Sequence, residues 1–339
     1  MSLLARNAEQ LFWLARYIER AGSLARIIET HSSYGRASAD DLSWGWLVTL
    51  YSAEERFAKD YAETSFKNVI RFYVADVANP GSVQFSVRAA RENARALRAI
   101  IPTEMWRQLN GFHNRLAALT AEDFDLVTLS RTCGIIKDGC YAQLGVADST
   151  LYRDEGERFF RLGLMIERAD QTSRLLDVKF AQLATGASHG GQTADTTFWS
   201  VILRSAAAYQ AFRRLEPQGA DPSRVAHFLL DNASQPRSVA YCVLEIQRVL
   251  HELRAGYQLR KASKALEHIE VLIEGLQSAA KDPDLVVRLH AVNDWLQQCL
   301  ITLTADLSTA FFALEPAPAN ARSQSQSQTD GGSQKQSLS

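Results

Sequence analysis

Residues 9–29 read EQLFWLARYIERAGSLARIIE, and residues 157–177 read ERFFRLGLMIERADQTSRLLD. The two segments align without a gap, 148 positions apart, and share eight of 21 residues. The shared residues include Glu-Arg-Ala at 19–21 and 167–169, and a second arginine at 26 and 174. A repeat that served packing alone would keep the apolar spacing and let the charges vary. The repeated charges therefore predict either duplicated function or duplicated polar packing.

Apolar residues recur with helical period in almost every segment of the chain, and sustained two-residue alternation is missing. This pattern predicts an all-α protein, a large helical bundle. A serine after Pro80 and an aspartate before Pro222 are start signals for two of its helices. We predict helices at about 4–31, 41–60, 63–78, 82–101, 103–119, 121–144, 154–184, 196–215, 222–231, 237–257, 260–280 and 283–314.

A second pair of matching segments extends the repeat beyond the first helix. Asn79-Pro-Gly-Ser-Val83 is echoed 156 residues later by Gln235-Pro-Arg-Ser-Val239, and each segment precedes a predicted helix. Two markers in the same order predict two diverged helical halves, residues 1–150 and 151–315, related by a pseudo-twofold axis.

Two segments of biased composition interrupt or follow these halves. Residues Thr185–Thr197, rich in Gly, Ser and Thr, are predicted to form a linker or a mobile loop. Residues 316–339 are rich in Ser, Gln, Pro, Ala and Gly and have almost no apolar anchors. We predict that this tail is disordered, because it cannot bury enough surface to offset its ordering entropy.

Composition excludes several classes of function. The chain has 339 residues, 46% of them hydrophobic, and a net charge of −1, which is typical of a soluble globular protein and argues against a general nucleic-acid binder. Apolar runs are too short for a membrane helix, and Met1 is not followed by a signal peptide, so we expect a cytoplasmic protein. Scattered histidines, with no Cys-x-x-Cys or Glu-x-x-His pair, predict no metal site and no cofactor on this chain.

The charges of the repeated helix are candidates for a polar cleft. At about 100° per residue, Glu19 and Arg26 share a column at the margin of the apolar face, and Glu167 and Arg174 repeat that arrangement. Asp170 is predicted to lie within the apolar face, where an unpaired carboxylate is costly. The candidate residues for substrate binding are Glu19, Arg20, Arg26, Glu167, Arg168, Asp170 and Arg174.

Two interpretations of this set remain open. Its glutamates and arginines can neutralise each other between the two halves and serve packing alone. Alternatively they line a cleft for a charged ligand, because the guanidinium fork of arginine binds carboxylates and phosphates in a bidentate manner. Arg16 and Arg20 are predicted to point away from the apolar face, around Trp13.

A third charged feature follows the first Pro-Gly-Ser segment. Its arginines are three or four positions apart and lie along one face of the predicted helix at 82–101. This face is either a solvated surface with local ion pairs or a docking strip for an acidic partner or an anion. Its residues are Arg88, Arg91, Glu92, Asn93, Arg95 and Arg98.

Recognised catalytic signatures are missing from the sequence. The chain has no phosphate-binding loop of the Walker type, no dinucleotide fingerprint, no nucleophile elbow and no zinc-protease helix. The sequence therefore identifies no catalytic residue. Whether the chain is an enzyme is left open, with a non-catalytic role favoured.

Three ordered motifs resemble the bacterial alpha-E domain family. These are the opening segment Met1–Ala21, the Asn79–Val83 segment followed by Ala90–Arg95, and Leu162–Asp170 with its continuation to Val178. The resemblance covers roughly residues 1–315. The family pattern commonly has Glu at the position of Gly22, which puts any catalytic role of that position in doubt, whereas Asp170 keeps an acid at the matching place.

The resemblance implies an all-helical domain that works beside other proteins. Members of the family are typically encoded beside a circularly permuted ATP-grasp protein and a transglutaminase-like protein. This implies an accessory subunit of a peptide or amide ligase system, with ATP and Mg²⁺ bound by the ATP-grasp partner. A stand-alone helical scaffold and an independent enzyme that uses the cleft carboxylates remain alternatives.

Overall fold

The computed structural model describes residues 3–35, 44–184, 192–257 and 262–312. Within these ranges all regular elements are helical, so the all-α prediction is confirmed. No helix in the described ranges has the length and apolar character needed to cross a bilayer. The α-helices are α1 Ala5–Gly35, α2 Gly45–Leu50, α3 Glu54–Asp60, α4 Phe66–Ile70, α5 Val83–Ala96, α6 Thr103–Ala117, α7 Leu129–Thr150, α8 Glu155–Ala184, α9 Gln192–Ser205, α10 Tyr209–Leu215, α11 Pro222–Leu230, α12 Val239–Gly256, α13 Ser263–Ala280 and α14 Leu285–Leu307.

Helices α1 and α8, which carry the repeated segment, pack against each other at the centre of the bundle. Helices α5 and α7 pack on α1, and α12 and α14 pack on α8. The central pair approaches closely at Gly163, where an added Cβ would lie 2.1 Å from the carbonyl oxygen of Phe12. A side chain at position 163 would therefore force the two helices apart.

Each central helix contributes to both of two hydrophobic cores. One core contains most of the buried face of α1 together with side chains of α2 to α7, and the other contains α8 to α14. Ala8 and Phe12 of α1 pack in the second core, whereas Phe160 of α8 packs in the first. The charges between α1 and α8 therefore lie where the two cores meet. The internal duplication and its pseudo-twofold axis stay predictions.

The two Pro-containing segments form turns with the same hydrogen bonds. Ser82 accepts a hydrogen bond from the backbone N–H of Phe85 and donates one to a carbonyl six residues earlier. Ser238 does the same with Tyr241 and with the carbonyl of Asn232. These serines are the N-caps of α5 and α12, where the sequence predicts helix starts. The turns place Gly81 and Arg237 at corresponding positions.

Three predicted helices are interrupted in the structure. The segment 41–60 contains α2 and α3, separated near Ser52, which has a φ of +48°. The segment 196–215 contains α9 and α10, separated at Ala207, which has a φ of +51°. Left-handed backbone at residues other than glycine has no sequence signal, so helical periodicity could not locate these breaks. The segment 121–144 holds a 3₁₀ turn at Ala121–Phe124, and α7 begins only at Leu129.

The structure corrects the C-terminal end of the predicted linker at residues 185–197. Helix α9 begins at Gln192, so the last six residues of the segment 185–197 are helical. Residues 185–191 and the predicted disordered tail, 316–339, lie outside the described residues.

Candidate functional site

The repeated Glu-Arg dipeptides pair with each other across the central helices. Arg20 of α1 donates to Glu167 of α8, with 2.7 Å from Nε to Oε1 and 3.0 Å from Nη2 to Oε2. In return, Arg168 of α8 donates from Nη2 to Oε2 of Glu19 on α1, at 3.2 Å. Each glutamate is thus held by the arginine of the other helix. This contact agrees with one of the two interpretations of the sequence, in which the glutamates and arginines neutralise each other.

Glu19 has more arginine partners than Glu167. Its side chain is 1% exposed and is also paired with Arg237, from the turn before α12, and with Arg26, whose Nη2 is 3.7 Å from Oε1. Burial alone raises the pKa of Glu19, but the three arginines outweigh burial and lower that pKa to about 2. Three arginines around one carboxylate leave an excess of two positive charges, and burial together with Arg26 lowers the pKa of Arg237 to about 10.

Glu167 has a different set of partners. Besides Arg20, it accepts a hydrogen bond of 2.8 Å from Nε of Arg16 and one of 3.2 Å from the Gln171 amide. Burial raises its pKa, but Arg20 and Arg16 together lower it to about 2. Arg16 and Arg20 were predicted to point away from the apolar face. The structure shows that this side of α1 also meets α8, and that Arg16 lies over the Trp13 ring as well, 4.9 Å from its centroid.

The prediction for Asp170 is wrong. Its side chain is not enclosed in the apolar face but is 16% exposed, and it accepts a hydrogen bond of 2.9 Å from Nε of Arg174. Arg174 therefore binds Asp170 and does not repeat the contact that Arg26 makes with Glu19. At the matching place in α1, a side chain would meet the neighbouring helix, because a Cβ on Gly22 would lie 3.2 Å from the Cβ of Cys140.

A cavity of about 350 Å³ opens beside Glu167, and we call it the Glu167 cavity. It unites four of the seven predicted cleft residues, Arg20, Glu167, Asp170 and Arg174, but Glu19, Arg26 and Arg168 do not line it. The sequence therefore predicted one cleft where the structure separates two environments. The remaining lining residues are Tyr51, Ser52, Ala53, Arg56, Tyr73, Asn79, Gly81 and Gln171.

Two lining residues that were not predicted from the sequence, Arg56 and Tyr73, have polar groups that other described residues do not pair. Arg56 is exposed on α3 and pairs with no carboxylate among the described residues. Tyr73 is 1% exposed, and its buried hydroxyl has no hydrogen-bond partner in the described part of the chain. Both lie in a stretch without a repeated motif, so no sequence signal connected them with Glu167.

The residue before each capping serine differs between the two turns, and this difference distinguishes the surroundings of Glu19 from those of Glu167. At the turn before α12, the side chain of Arg237 reaches Glu19. At the corresponding turn before α5, Gly81 has no side chain and lines the Glu167 cavity. The cavity thus lies where the first turn lacks the arginine that the second turn has.

The predicted docking strip lies on the surface of α5 and its C-terminal end. Arg95 pairs with Glu92 at 2.8 Å, and Arg91 donates to Asn110 at 2.8 Å. The Trp106 ring of α6 lies beneath the guanidinium groups of Arg91 and Arg98, 5.5 and 5.3 Å from its centroid. Arg88 is exposed and donates to the carbonyl of Val77, and Asn93 is only partly buried. The strip is thus a cationic surface with an aromatic centre, which the sequence pattern of α5 alone did not contain.

One group of possible metal ligands occurs among the described residues. Donor atoms of Asp177, His290 and Asp294 lie within 4.8 Å of one another. His290 is 70% exposed and forms a contact of 2.6 Å with Asp177, which raises the pKa of His290. Surface ion pairing accounts for this group, and the expectation that the chain holds no metal stays a prediction.

Comparison with known proteins identifies the family. A family model described as a predicted alpha-helical domain with a conserved ER motif matches residues 3–312. Neither the search of curated proteins nor the search of solved structures found a match. Glu19-Arg20 and Glu167-Arg168 are the Glu-Arg pairs that bind each other across α1 and α8. The chain belongs to the Alpha-E family.

Proposed function

We propose that this protein is an accessory subunit of an ATP-grasp system that forms peptide or amide bonds, and that the Glu167 cavity holds an amino-acid or peptide substrate. The circularly permuted ATP-grasp partner would bind ATP and Mg²⁺ and activate a carboxylate. This chain would supply the binding cavity and a docking surface, without catalysis of its own.

The observation that carries the proposal is the charge pattern of the Glu167 cavity. Asp170 offers a partly exposed carboxylate to a ligand ammonium, and Arg56 offers a guanidinium without a carboxylate partner. An amino acid or a short peptide presents these two complementary charges, an ammonium at one end and a carboxylate at the other. A cavity of about 350 Å³ has the size of a small-molecule site and sits beside a rigid wall formed by the Glu167 ion pairs.

The low pKa of Glu167 favours a role of the cavity in binding over a role in acid–base catalysis. Glu167 is ionised with a pKa of about 2, because Arg20 and Arg16 outweigh its burial. A general base needs a pKa near the working pH, and a carboxylate this acidic is a weak proton acceptor. The isolated chain is therefore expected to bind substrate without turning it over.

The arginine strip on α5 is the proposed docking surface for the ATP-grasp partner. Arginine and tryptophan are the residues most enriched at the centres of protein interfaces, and Trp106 lies between Arg91 and Arg98. The strip predicts an acidic patch on the partner. A transglutaminase-like protein would join the same system.

The first test is association and activity. The protein and the ATP-grasp protein are co-purified, and ATP consumption by the partner is measured with and without this chain. We expect a complex and a faster rate in its presence. Absence of association together with an unchanged rate would sink the proposal, as would substrate turnover by the isolated chain.

The second test separates the cavity from the docking surface. Arg56→Gln should lower the rate gained from this protein by about tenfold, the loss of roughly one charge-assisted hydrogen bond, and leave the complex intact. Lys59→Gln on the same helix removes an exposed cation outside the cavity and serves as the matched control. Charge reversal of Arg98 should weaken the complex, whereas reversal of the exposed Arg107 on α6 should not.

A stand-alone scaffold is the second candidate function. It is favoured by the burial and full pairing of Glu19 and Glu167, which suits a structural lock between two cores. Under this alternative, Arg56→Gln and Lys59→Gln would behave alike in every assay.

A further inference from the structure

A second cavity lies away from the Glu167 cavity and shares no residue with it. It has a volume of about 550 Å³ and is formed by the C-terminal part of α1 with α7, α9 and α10. We call it the Arg26 cavity. The charged residues of its lining are Arg26, Glu29, Lys137 and Arg204.

The charges of this cavity are strongly unbalanced. Its wall carries the cations Arg26, Lys137 and Arg204 but a single carboxylate, Glu29, which pairs with Lys137. Arg204 lies 4.0 Å from the Tyr209 ring centroid and pairs with no carboxylate of the described residues. The wall therefore has two positive charges in excess, which favour a divalent anion.

Arg26 links this excess to the buried network of α1 and α8. It shares Glu19 with Arg168 and Arg237, so this carboxylate cannot neutralise all three guanidinium groups. Arg26 is 6% exposed, and its Nε has no hydrogen-bond partner within the described residues. A buried guanidinium with incomplete pairing is costly, and an anion in the adjoining cavity would reduce that cost.

Hydroxyl groups supply neutral donors on the same wall. Tyr141 accepts a hydrogen bond of 3.3 Å from Nη1 of Arg26, which leaves its own hydrogen for another acceptor. Thr30 and Ser33 add two more hydroxyls from α1. Guanidinium, ammonium and hydroxyl donors around one space match the several acceptor oxygens of a phosphate group. Val201, Ala207 and the Tyr209 ring leave an apolar side for the rest of the ligand.

From this arrangement we propose that the Arg26 cavity binds the phosphate group of a small phosphorylated molecule, held by Arg26, Lys137 and Arg204. The dianionic phosphate would balance the two excess positive charges. Its binding would also reduce the excess positive charge around Glu19, because Arg26 would then share the phosphate. The site is independent of the Asp170 carboxylate and of any protein partner.

Calorimetric titration of the full chain tests this proposal, with inorganic phosphate and pyrophosphate as probes and succinate, a dicarboxylate dianion, as the comparison ligand. We expect the phosphates to bind more tightly than succinate, and their affinity to fall as sodium chloride is added. No phosphate binding, or tighter binding of succinate, would overturn the proposal.

Substitution of two cations that are exposed or half-buried tests where phosphate binds, because these substitutions do not disturb the core. Arg204→Gln should weaken phosphate binding by about tenfold or more, the loss expected for a charge-assisted hydrogen bond. Arg213→Gln is the matched control, because Arg213 lies on the same Tyr209 ring, 5.6 Å from its centroid, but does not line the cavity. Lys137→Met should resemble Arg204→Gln. Equal affinities in Arg204→Gln and Arg213→Gln would contradict the assignment.

Discussion

Glu19 and Glu167 each belong to a Glu-Arg dipeptide, but the residues around the two glutamates differ. Both glutamates are almost fully buried, and each binds the arginine that follows the other glutamate. Around Glu19, Arg237 and Arg26 provide two additional charges, and Glu19 itself lines neither of the cavities described above. Around Glu167, Arg16 provides the additional charge, and a cavity remains beside it.

The difference comes from residues outside the dipeptide. Gly81 stands in the first turn where Arg237 stands in the second, and Asp170 stands in α8 where Gly22 stands in α1. Asp170 holds Arg174 away from the glutamate, whereas Gly22 lets α7 approach and Arg26 turn toward Glu19. Both glutamates therefore join the two cores through ion pairs, but only Glu167 has a cavity of about 350 Å³ directly beside it.

The largest expected effect is the loss of stability when the ion pairs of Glu19 or Glu167 are broken. Glu19→Gln leaves Arg26, Arg168 and Arg237, whose side chains are 7%, 12% and 12% exposed, without a counter-charge, and should lower the free energy of unfolding by about 3–5 kcal/mol, the range for breaking a buried pair. Glu167→Gln should cost less, about 2–3 kcal/mol, because it leaves two arginines and not three without a counter-charge, and because Arg20, at 22% exposed, can be partly hydrated. Urea unfolding measures both.

An exposed ion pair provides the control for these two variants. Glu92 is 44% exposed and pairs with Arg95 on α5, so Glu92→Gln should change the free energy of unfolding by less than about 0.5 kcal/mol. If Glu167→Gln proves more destabilising than Glu19→Gln, the ion pairs of Glu19 are not the more stabilising of the two sets.

The next effect is the dependence of stability on acid pH. The pKa of Glu19 and of Glu167 is about 2 in the folded protein, below the ordinary value of 4.5. A lowered pKa stabilises the fold above pH 4.5, and this contribution is lost as the pH falls through about 2. The loss approaches about 3 kcal/mol for each glutamate. Unfolding free energies measured between about pH 5 and pH 2 follow this loss.

The Glu19→Gln variant tests the origin of that acid sensitivity. Glutamine does not titrate, so the variant should lose less stability than the wild type between pH 4.5 and 2. Equal slopes for the two proteins would assign the acid sensitivity to other carboxylates.

The smallest expected effect concerns the environment of Glu167. A Cβ on Gly81 would lie 3.3 Å from Oδ1 of Asn79, which also accepts a hydrogen bond from the Gly81 N–H. Gly81→Ala should therefore cost about 1 kcal/mol, because Asn79 must shift slightly. Gly81→Arg should cost a similar amount and place a guanidinium in the Glu167 cavity, as Arg237 does beside Glu19.

A crystal structure of the Gly81→Arg variant and its effect on the ATP-grasp partner provide the measurement. We expect a filled cavity and no stimulation of the partner with Gly81→Arg, whereas Gly81→Ala keeps the stimulation. An introduced side chain that points to solvent would show that the two turns are not interchangeable.

The sequence predicted the centre of the fold better than its periphery. Helices α1 and α8 follow from strong apolar periodicity, and the caps at Ser82 and Asp221 follow from local hydrogen bonding that any chain segment can form by itself. The breaks near Ser52 and Ala207 were missed because the left-handed backbone there is imposed by packing and not by residue type.

For the candidate site, the sequence predicted the residues but not their partners. The repeat identified Glu19, Arg20, Glu167 and Arg168, and helical geometry placed Glu19 near Arg26 correctly. Helical geometry failed for Asp170, because a helical wheel shows which residues share a face but not which neighbour covers that face. Arg56 and Tyr73 come from helices with no repeated pattern, so their place in the cavity could not be predicted.

The sequence by itself determined that the protein is all-α and that two of its helices carry the same charged pattern, because helical period and residue identity can be read from each segment without its neighbours. Only the tertiary structure decided that the glutamate of one helix binds the arginine of the other. It also decided that Arg237 pairs with Glu19 while Gly81 lines the cavity beside Glu167. Such choices depend on distances between residues about 150–220 positions apart in the chain, which only the packed core establishes.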